Sequence, residues 1–354
     1  MKSRAPRERL EHLAVWAPNW VGDLAMATPV LEAALGAPQF DRVTILLRAH
    51  LAGLLAGGPP ESALRLHRSA GEARANLRAL AADGVLLLTS SARAAWIAFA
   101  ARVPLRAGAA LHGRRLLLTH AVLPPTRWGR RVPIPTAHLQ RDVAGLVGIH
   151  VPDLHPRLVA SEAERARERE RLERLGLAPG ADYVACTPGA AFGAAKLWPP
   201  ERFARALDLL HERHGWRGVV SGGPGEEALI EAVASAAAHG ALSLAGEPRD
   251  LVTTKALVAG SRLLLVGDSG PRWIAAAFDV PCVTVMGPNV PELTASSLER
   301  CEIVRVEGLE CSPCARRVCP LGHHRCMREL APELVLEAAE RVLARSALAQ
   351  ASLA

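Results

Sequence analysis

The sequence predicts an α/β protein made of two doubly wound, Rossmann-like domains facing each other across a cleft. Two observations predict it. The first is a pair of glycine-and-carboxylate loops far apart in the chain, Ala17-Pro-Asn-Trp-Val-Gly-Asp-Leu-Ala-Met-Ala-Thr-Pro29 and Val266-Gly-Asp-Ser-Gly-Pro271. Each follows a short apolar run and opens a helix-like one, so its free backbone N–H groups and the helix dipole face an anion-sized space. The second is a repeated alternation of β-like and α-like segments with short connections, the pattern of a parallel sheet covered by helices on both faces.

The elements follow in order. In the first half, strands are expected at Leu13–Trp16, Val43–Leu47, Gly84–Thr89 and Leu116–Val122, with helices at Asp23–Leu35, Arg74–Ala81, Ala92–Ala101 and Ala137–Gly148. Val151-Pro-Asp-Leu-His-Pro156 is extended and proline-bounded, which places a linker there and the domains at 1–155 and 156–354. Ser161 to Leu175, dense in Glu and Arg, reads as a solvated helix. Strands then recur at Tyr183–Thr187, Gly218–Ser221, Ala241–Leu244, Leu263–Val266 and Cys282–Met286. Between them stand helices at Pro200–His214, Glu226–Ala238, Asp250–Ala259 and Pro271–Phe278. A final helix from Glu333 to about Ala347 has the length to pack back on the first domain.

Composition limits the function. With 354 residues, half of them hydrophobic and 22% charged, the chain has material for two ordinary cores. No apolar run approaches the roughly 20 residues needed to span a bilayer. Leu13–Ala17 after the basic start is too short for a signal-peptide core, so a cytoplasmic location is expected. Net charge is +7, unevenly spread: residues 1–150 hold 19 Lys/Arg against 9 Asp/Glu, and the remainder 23 against 26. From Gly84 to Arg141 there is no carboxylate, but there are nine arginines, Arg114, Arg115, Arg130 and Arg131 among them. A preference for arginine explains the scarcity of lysine (three in all) but not the missing acids; a polyanion site does. Aromatics at 4% and the lack of a nucleic-acid-binding motif argue against nucleic acid, leaving a phosphorylated lipid or saccharide.

Several residues carry candidate chemistry. Thr187-Pro-Gly-Ala-Ala-Phe-Gly-Ala-Ala-Lys-Leu-Trp-Pro-Pro200 runs from a strand end through small residues to a helix, and Lys196 at its end is either a solvated loop lysine or an ammonium that reaches a diphosphate. In Ser221-Gly-Gly-Pro-Gly-Glu-Glu227, Glu226 or Glu227 either holds ribose hydroxyls or starts a helix. Asp268, Ser269 and Gly270 form a phosphate cradle at the start of a helix. Asp23 is either an N-cap or a general base. Cys311, Cys314, Cys319 and Cys326, with His323 and His324, have ligands enough for zinc, but the Cys-x2-Cys-x4-Cys-x6-Cys spacing is irregular for a zinc ribbon; a packed or redox-sensitive thiol cluster is the other reading, and no metal is assigned.

Val21–Pro29, Pro188–Pro199, Asp268–Pro271 and Cys311–Met327, in that order, resemble the heptosyltransferases of glycosyltransferase family 9 over most of the chain, most weakly between about residues 50 and 180. The resemblance fits the glycosyltransferase-B architecture to which two facing doubly wound domains point. It implies an inverting, metal-independent transfer of L-glycero-D-manno-heptose from ADP-heptose to a phosphorylated lipopolysaccharide-core acceptor at the inner-membrane surface, with no cofactor. It further implies Asp23 as base, Lys196 and the Asp268–Gly270 loop on the diphosphate, and Glu226 or Glu227 on the ribose. The basic stretch then becomes the acceptor surface. One residue departs from the family pattern: Trp273 stands where members usually carry histidine, and an indole cannot take a proton. A nucleotide-sugar epimerase of the same fold, another family 9 transferase, and a non-catalytic nucleotide-binding or zinc-sensing module are the alternatives.

Overall fold

A computed structural model describes residues 10–128 and 130–351, with residues 130 and 349–351 described through their backbone only. The basic segment 1–9, part of the signal-peptide reading, lies outside the described residues. The chain divides into two compact units, Met1–His155 and Pro156–Ala354.

In the first unit, β1 (His12–Trp16), β2 (Arg42–Arg48), β3 (Leu64–His67), β4 (Gly84–Leu87), β5 (Leu105–Ala109) and β6 (His120–Val122) form one parallel sheet in the order β3-β2-β1-β4-β5-β6. Its helices are α1 (Val21–Leu35), α2 (Ala52–Leu55), α3 (Ala70–Leu80), α4 (Ala92–Ala100) and α5 (Thr136–Gly145). A two-residue hairpin, β7 (Thr126–Arg127) with β8 (Arg130–Arg131), stands apart from the sheet.

The second unit repeats the plan. It contains α6 (Glu162–Arg174), β9 (Tyr183–Thr187), α7 (Pro200–His214), β10 (Arg217–Val220), α8 (Glu227–Ala236), β11 (Leu242–Ser243) and α9 (Leu251–Ala259). After these come β12 (Leu263–Gly267), α10 (Pro271–Ala277), β13 (Cys282–Val285), β14 (Cys301–Val304), α11 (Arg325–Arg328) and α12 (Pro332–Ala351). Its parallel sheet runs β11-β10-β9-β12-β13-β14, the same order as the first. Each sheet reverses its winding once, between β1 and β4 and between β9 and β12, and such a switch point is where an open α/β sheet binds its ligand. The central strands are apolar without alternation because helices cover both faces: every residue of β1, β4, β9 and β12 is buried.

Several expectations are corrected. Leu116–Val122 is not one strand. Gly113, at φ +74°, turns the chain into a 3-10 segment at Arg114–Leu117, and only His120–Val122 joins the sheet. β3 and β5 carry no strong β signature and form because a neighbouring strand pairs with them, and β14, Cys-Glu-Ile-Val, is an edge strand that the expectations lacked. Nor is the charged helix α6 wholly solvated. Glu168 and Arg171 are buried as an ion pair, and Arg171 also donates to Pro248 O (2.9 Å) where α6 packs on α9. α12 contributes Val335, Ala338, Ala339 and Val342 to the core of the second unit, against α7, β13 and β14.

Candidate active site

In the second unit, the switch point between β9 and β12 gathers five side chains. β12 delivers Asp268, and the loop after β9 folds back so that Lys196 closes a 3-10 turn, Ala194–Lys196. The Lys196 ammonium lies 2.5 Å from Asp268 Oδ2 and 3.3 Å from its carbonyl oxygen, and both side chains are buried. Asn289, in the loop after β13, donates to the same carboxylate oxygen at 2.7 Å. The face of Phe192 lies 4.8 Å from the ammonium and 5.3 Å from the guanidinium of Arg317. Lys196 is therefore a held, desolvated cation rather than the end of a flexible loop. Asn289, Phe192 and Arg317 had no local signal in the sequence.

The cysteine-rich segment braces this turn. Ala195 N–H donates to Arg317 O (2.9 Å), and His324 Nε2 donates to Ala195 O (2.7 Å). Gly193 makes the approach possible. At φ +153° it lies where a Cβ would come within 2.5 Å of Arg317 O. Cys311, Cys314, Cys319 and Cys326 line one small cavity with His323 and His324. Burial first, and then the neighbouring thiols, push the Cys326 thiol up to about 11, while the backbone N–H of His324 leads the groups that lower Cys319. Among the described residues no three His, Cys, Asp or Glu side chains converge as metal ligands.

The two glutamates at the end of β10 separate. Glu226 accepts from Gly223 N–H at 2.7 Å, and its carboxylate lies against the backbone of Gly189 and Gly222, so close that a Cβ on Gly189 would collide with it. It therefore sits between the loops after β9 and β10. Glu227 accepts from Gly225 N–H (3.2 Å) and pairs with Arg249. Ser269 and Gly270 are half-buried beside Asp268 at the start of α10. There Trp273 is buried under the Arg272 guanidinium, 4.6 Å from its ring.

In the first unit, Asp23 lies in the first turn of α1, half-buried, while Trp20 occupies the N-cap position without a side-chain cap. A carboxylate in the first turn interacts favourably with the positive end of the helix dipole. Gln140 on α5 donates to Asp23 O at 2.9 Å, and Asn19 donates to Thr89 Oγ1 at 3.1 Å, tying the loop after β1 to the loop after β4.

The basic stretch is not uniformly a surface. Arg114 departs from expectation. It is 1% exposed, donating to Ala109 O (2.8 Å), Thr89 O (2.6 Å) and Ser91 O (3.1 Å), and burial lowers its pKa to about 10. Its guanidinium clamps the β4–α4 loop, so it cannot belong to a solvent-facing patch. Arg115 is exposed and donates to Leu118 O. Arg127 and Arg131 are exposed on the hairpin, whose Trp128 is 88% exposed; the side chain of Arg130 lies outside the described residues.

With this geometry in hand, comparisons with known proteins converge. The family described as Glycosyltransferase family 9 (heptosyltransferase) matches residues 71–325. Lipooligosaccharide heptosyltransferase 2 of Campylobacter jejuni is 29% identical over 177 residues, 49% of this chain and 55% of that protein, so the chain matches about half the length of that relative. Lipopolysaccharide heptosyltransferase 2 of Salmonella typhimurium is 27% identical over 344 residues, 92% of this chain and 96% of that one. Among solved structures, ADP-heptose lipopolysaccharide heptosyltransferase II of Escherichia coli shares the fold with a TM-score of 0.73 at 22% identity, over 94% of this chain and 99% of the other. A family 9 glycosyltransferase of Veillonella parvula gives 0.74 at 20%, over 95% and 98%. No helix among the described residues is long and apolar enough to cross a membrane.

Proposed function

The chain belongs to glycosyltransferase family 9, the heptosyltransferases, and on that premise we propose that it transfers L-glycero-D-manno-heptose from ADP-heptose, with inversion, to the inner core of lipopolysaccharide. The observation that carries this reading is the buried Lys196–Asp268–Asn289 cluster at the switch point of the second unit. A nucleotide-sugar transferase must stabilise the charge that develops on the departing diphosphate. A lysine already desolvated and aimed by a carboxylate does so without reorganising during the reaction. Asp268 fixes the ammonium, and the half-buried Ser269 and Gly270 beside it supply further hydrogen-bond donors.

Glu226 is the better candidate for the ribose hydroxyls, because its carboxylate rests on the glycines that let a ligand approach the strand ends. Glu227 is engaged with Arg249 instead. Asp23 takes the proton from the attacking acceptor hydroxyl, and inversion follows from a single displacement at the anomeric carbon. Trp273, buried beneath Arg272, supplies no proton, so the acid–base work falls to Asp23 alone.

The acceptor reading draws on charge. Arg127 and Arg131 flank the exposed Trp128 on the hairpin, Arg115 is exposed as well, and arginines flanking an exposed indole suit the headgroup layer of an anionic membrane. We place the enzyme on the cytoplasmic face of the inner membrane, bound peripherally, with ADP-heptose and a phosphorylated core acceptor as its partners. Mass spectrometry of core oligosaccharide from a strain lacking the gene tests the reading. The core should be truncated by heptose and restored by the wild-type chain but not by Asp23→Asn; an unchanged core would refute it.

A further inference from the structure

The first unit contains a second polar site that the transfer mechanism leaves unused. At the carboxyl ends of its strands a small open cavity of about 60 Å³ is lined by Trp16, Asn19, Arg48, His67, Ser91 and Arg93, among others. Trp16, Arg48 and His67 are the last residues of β1, β2 and β3, so the parallel sheet itself brings them together. Ser69, also on the wall, is the N-cap of the 11-residue α3, and Ser91 is the N-cap of the nine-residue α4. Two helix amino ends, each with a positive dipole, therefore open on one space.

His67 is the telling residue. It is 4% exposed, packed edge-on against Trp16 with ring centroids 5.6 Å apart, and neither ring nitrogen has a hydrogen-bond partner among the described residues. A buried imidazole with both nitrogens unsatisfied carries a desolvation cost that native structures rarely leave uncompensated. Burial, and then the charge of Arg48, lower its pKa, so the free ring is neutral and has one N–H to donate. No described carboxylate makes an ion pair with Arg48 or Arg93. The nearby Glu72 accepts from Arg68 N–H instead (2.7 Å). Beneath the loop carrying Ser91 lies the buried guanidinium of Arg114, which adds a further unneutralised positive charge.

We propose that this cavity is an anion subsite that holds an acidic group, phosphate or carboxylate, of the acceptor saccharide, with Arg48 and Arg93 as charge partners and His67 as an N–H donor. The assignment rests on the acceptor reading given above for the first unit. Asn19 lines the cavity four residues before Asp23, so an acidic group anchored here keeps a neighbouring hydroxyl beside the helix start that carries the base. The cavity has room for the acidic group and leaves the rest of the sugar outside.

The test uses the full chain labelled at histidine and followed by NMR. Inorganic phosphate and sodium acetate are titrated separately against a chloride control of equal ionic strength. The expected result is a saturable shift of the His67 ring signals and a rise in its titration midpoint, because a bound anion favours the imidazolium. A response to phosphate alone assigns a phosphate, and a response to acetate extends the site to carboxylates. Both responses should vanish in Arg48→Ala/Arg93→Ala while the buried His12 ring signals stay in place as a control for the fold. The same variant should raise the acceptor KM by roughly tenfold or more and leave the KM for ADP-heptose unaltered. No saturable response to either anion, or an undiminished one in the double variant, would overturn the proposal. If the protein transfers no heptose, the anion titration still reads the subsite, so the two failures are separable.

Discussion

At the residue scale, carboxylates that look alike in the chain take unequal roles. Asp23→Asn keeps size and hydrogen bonding but removes the proton acceptor, so turnover should fall roughly 10²–10⁴-fold while ADP affinity holds. Wild-type turnover in a steady-state assay would remove Asp23 from the chemistry. Lys196→Ala should lower kcat by roughly 10²–10³-fold, with only partial recovery in Lys196→Arg, because the planar fork cannot occupy the pocket bounded by Asp268 and Phe192. Glu226→Gln should weaken ADP binding, whereas Glu227→Gln, which loses only an exposed contact to Arg249, should not; calorimetry with ADP separates them. That Asp23, Lys196 and Asp268 stand at strand-to-helix junctions was legible from the distinctive local pattern around each. Arg114 was misread because its sequence neighbours resemble a basic surface, and only the left-handed Gly113 turn and the carbonyls of the β4–α4 loop make it a buried clamp. His67 and Asn289 act through partners on other strands, which no local window contains.

At the element scale, the braced turn and the α6–α9 contact make distinct claims. Gly193→Ala should force Arg317 O away from the Lys196 turn and release the grip of the cysteine-rich segment. Donor affinity should fall more than stability does, which thermal melts and ADP titrations of the variant would reveal. Glu168→Ala leaves the buried Arg171 with only Pro248 O and, at 3.9 Å, Glu247, and should cost about 1.5–3 kcal/mol of unfolding free energy in denaturant titrations. A loss below 1 kcal/mol would return α6 to the solvated helix its sequence resembles. The strands that could be read in advance are the apolar ones buried on both faces. β3 reads Leu-Arg-Leu-His and β5 Leu-Arg-Ala-Gly-Ala, sequences with weak intrinsic preference that become strands when β2 and β4 offer hydrogen bonds.

At the scale of the whole molecule, two parallel, helix-covered sheets could be inferred from alternation alone, because short α/β connections leave few topologies open, whereas their shared strand order emerges only from the pairing. The charge asymmetry was also legible, but composition does not distinguish arginines that serve the fold from those that face solvent. Neutralising Arg115, Arg127 and Arg131 should therefore weaken binding to anionic vesicles, each contributing on the order of 1 kcal/mol, and the loss should shrink as salt rises. Acidity gives a second whole-molecule expectation. Burial leads the lowering of both His12 and His67 below the ordinary 6.5, so the unfolded chain binds protons that the native one refuses. Their stabilising effect is complete above pH 6.5 and is lost as pH falls from there through the lower folded values, and His12→Gln should flatten the fall in melting temperature. The most direct test of the central claim incubates the purified chain with ADP-heptose and a heptose-deficient core acceptor in excess chelator. One heptose should be added per ADP released, with the opposite anomeric configuration by NMR. Heptose released to water, retained configuration, or transfer that requires an added metal would contradict it.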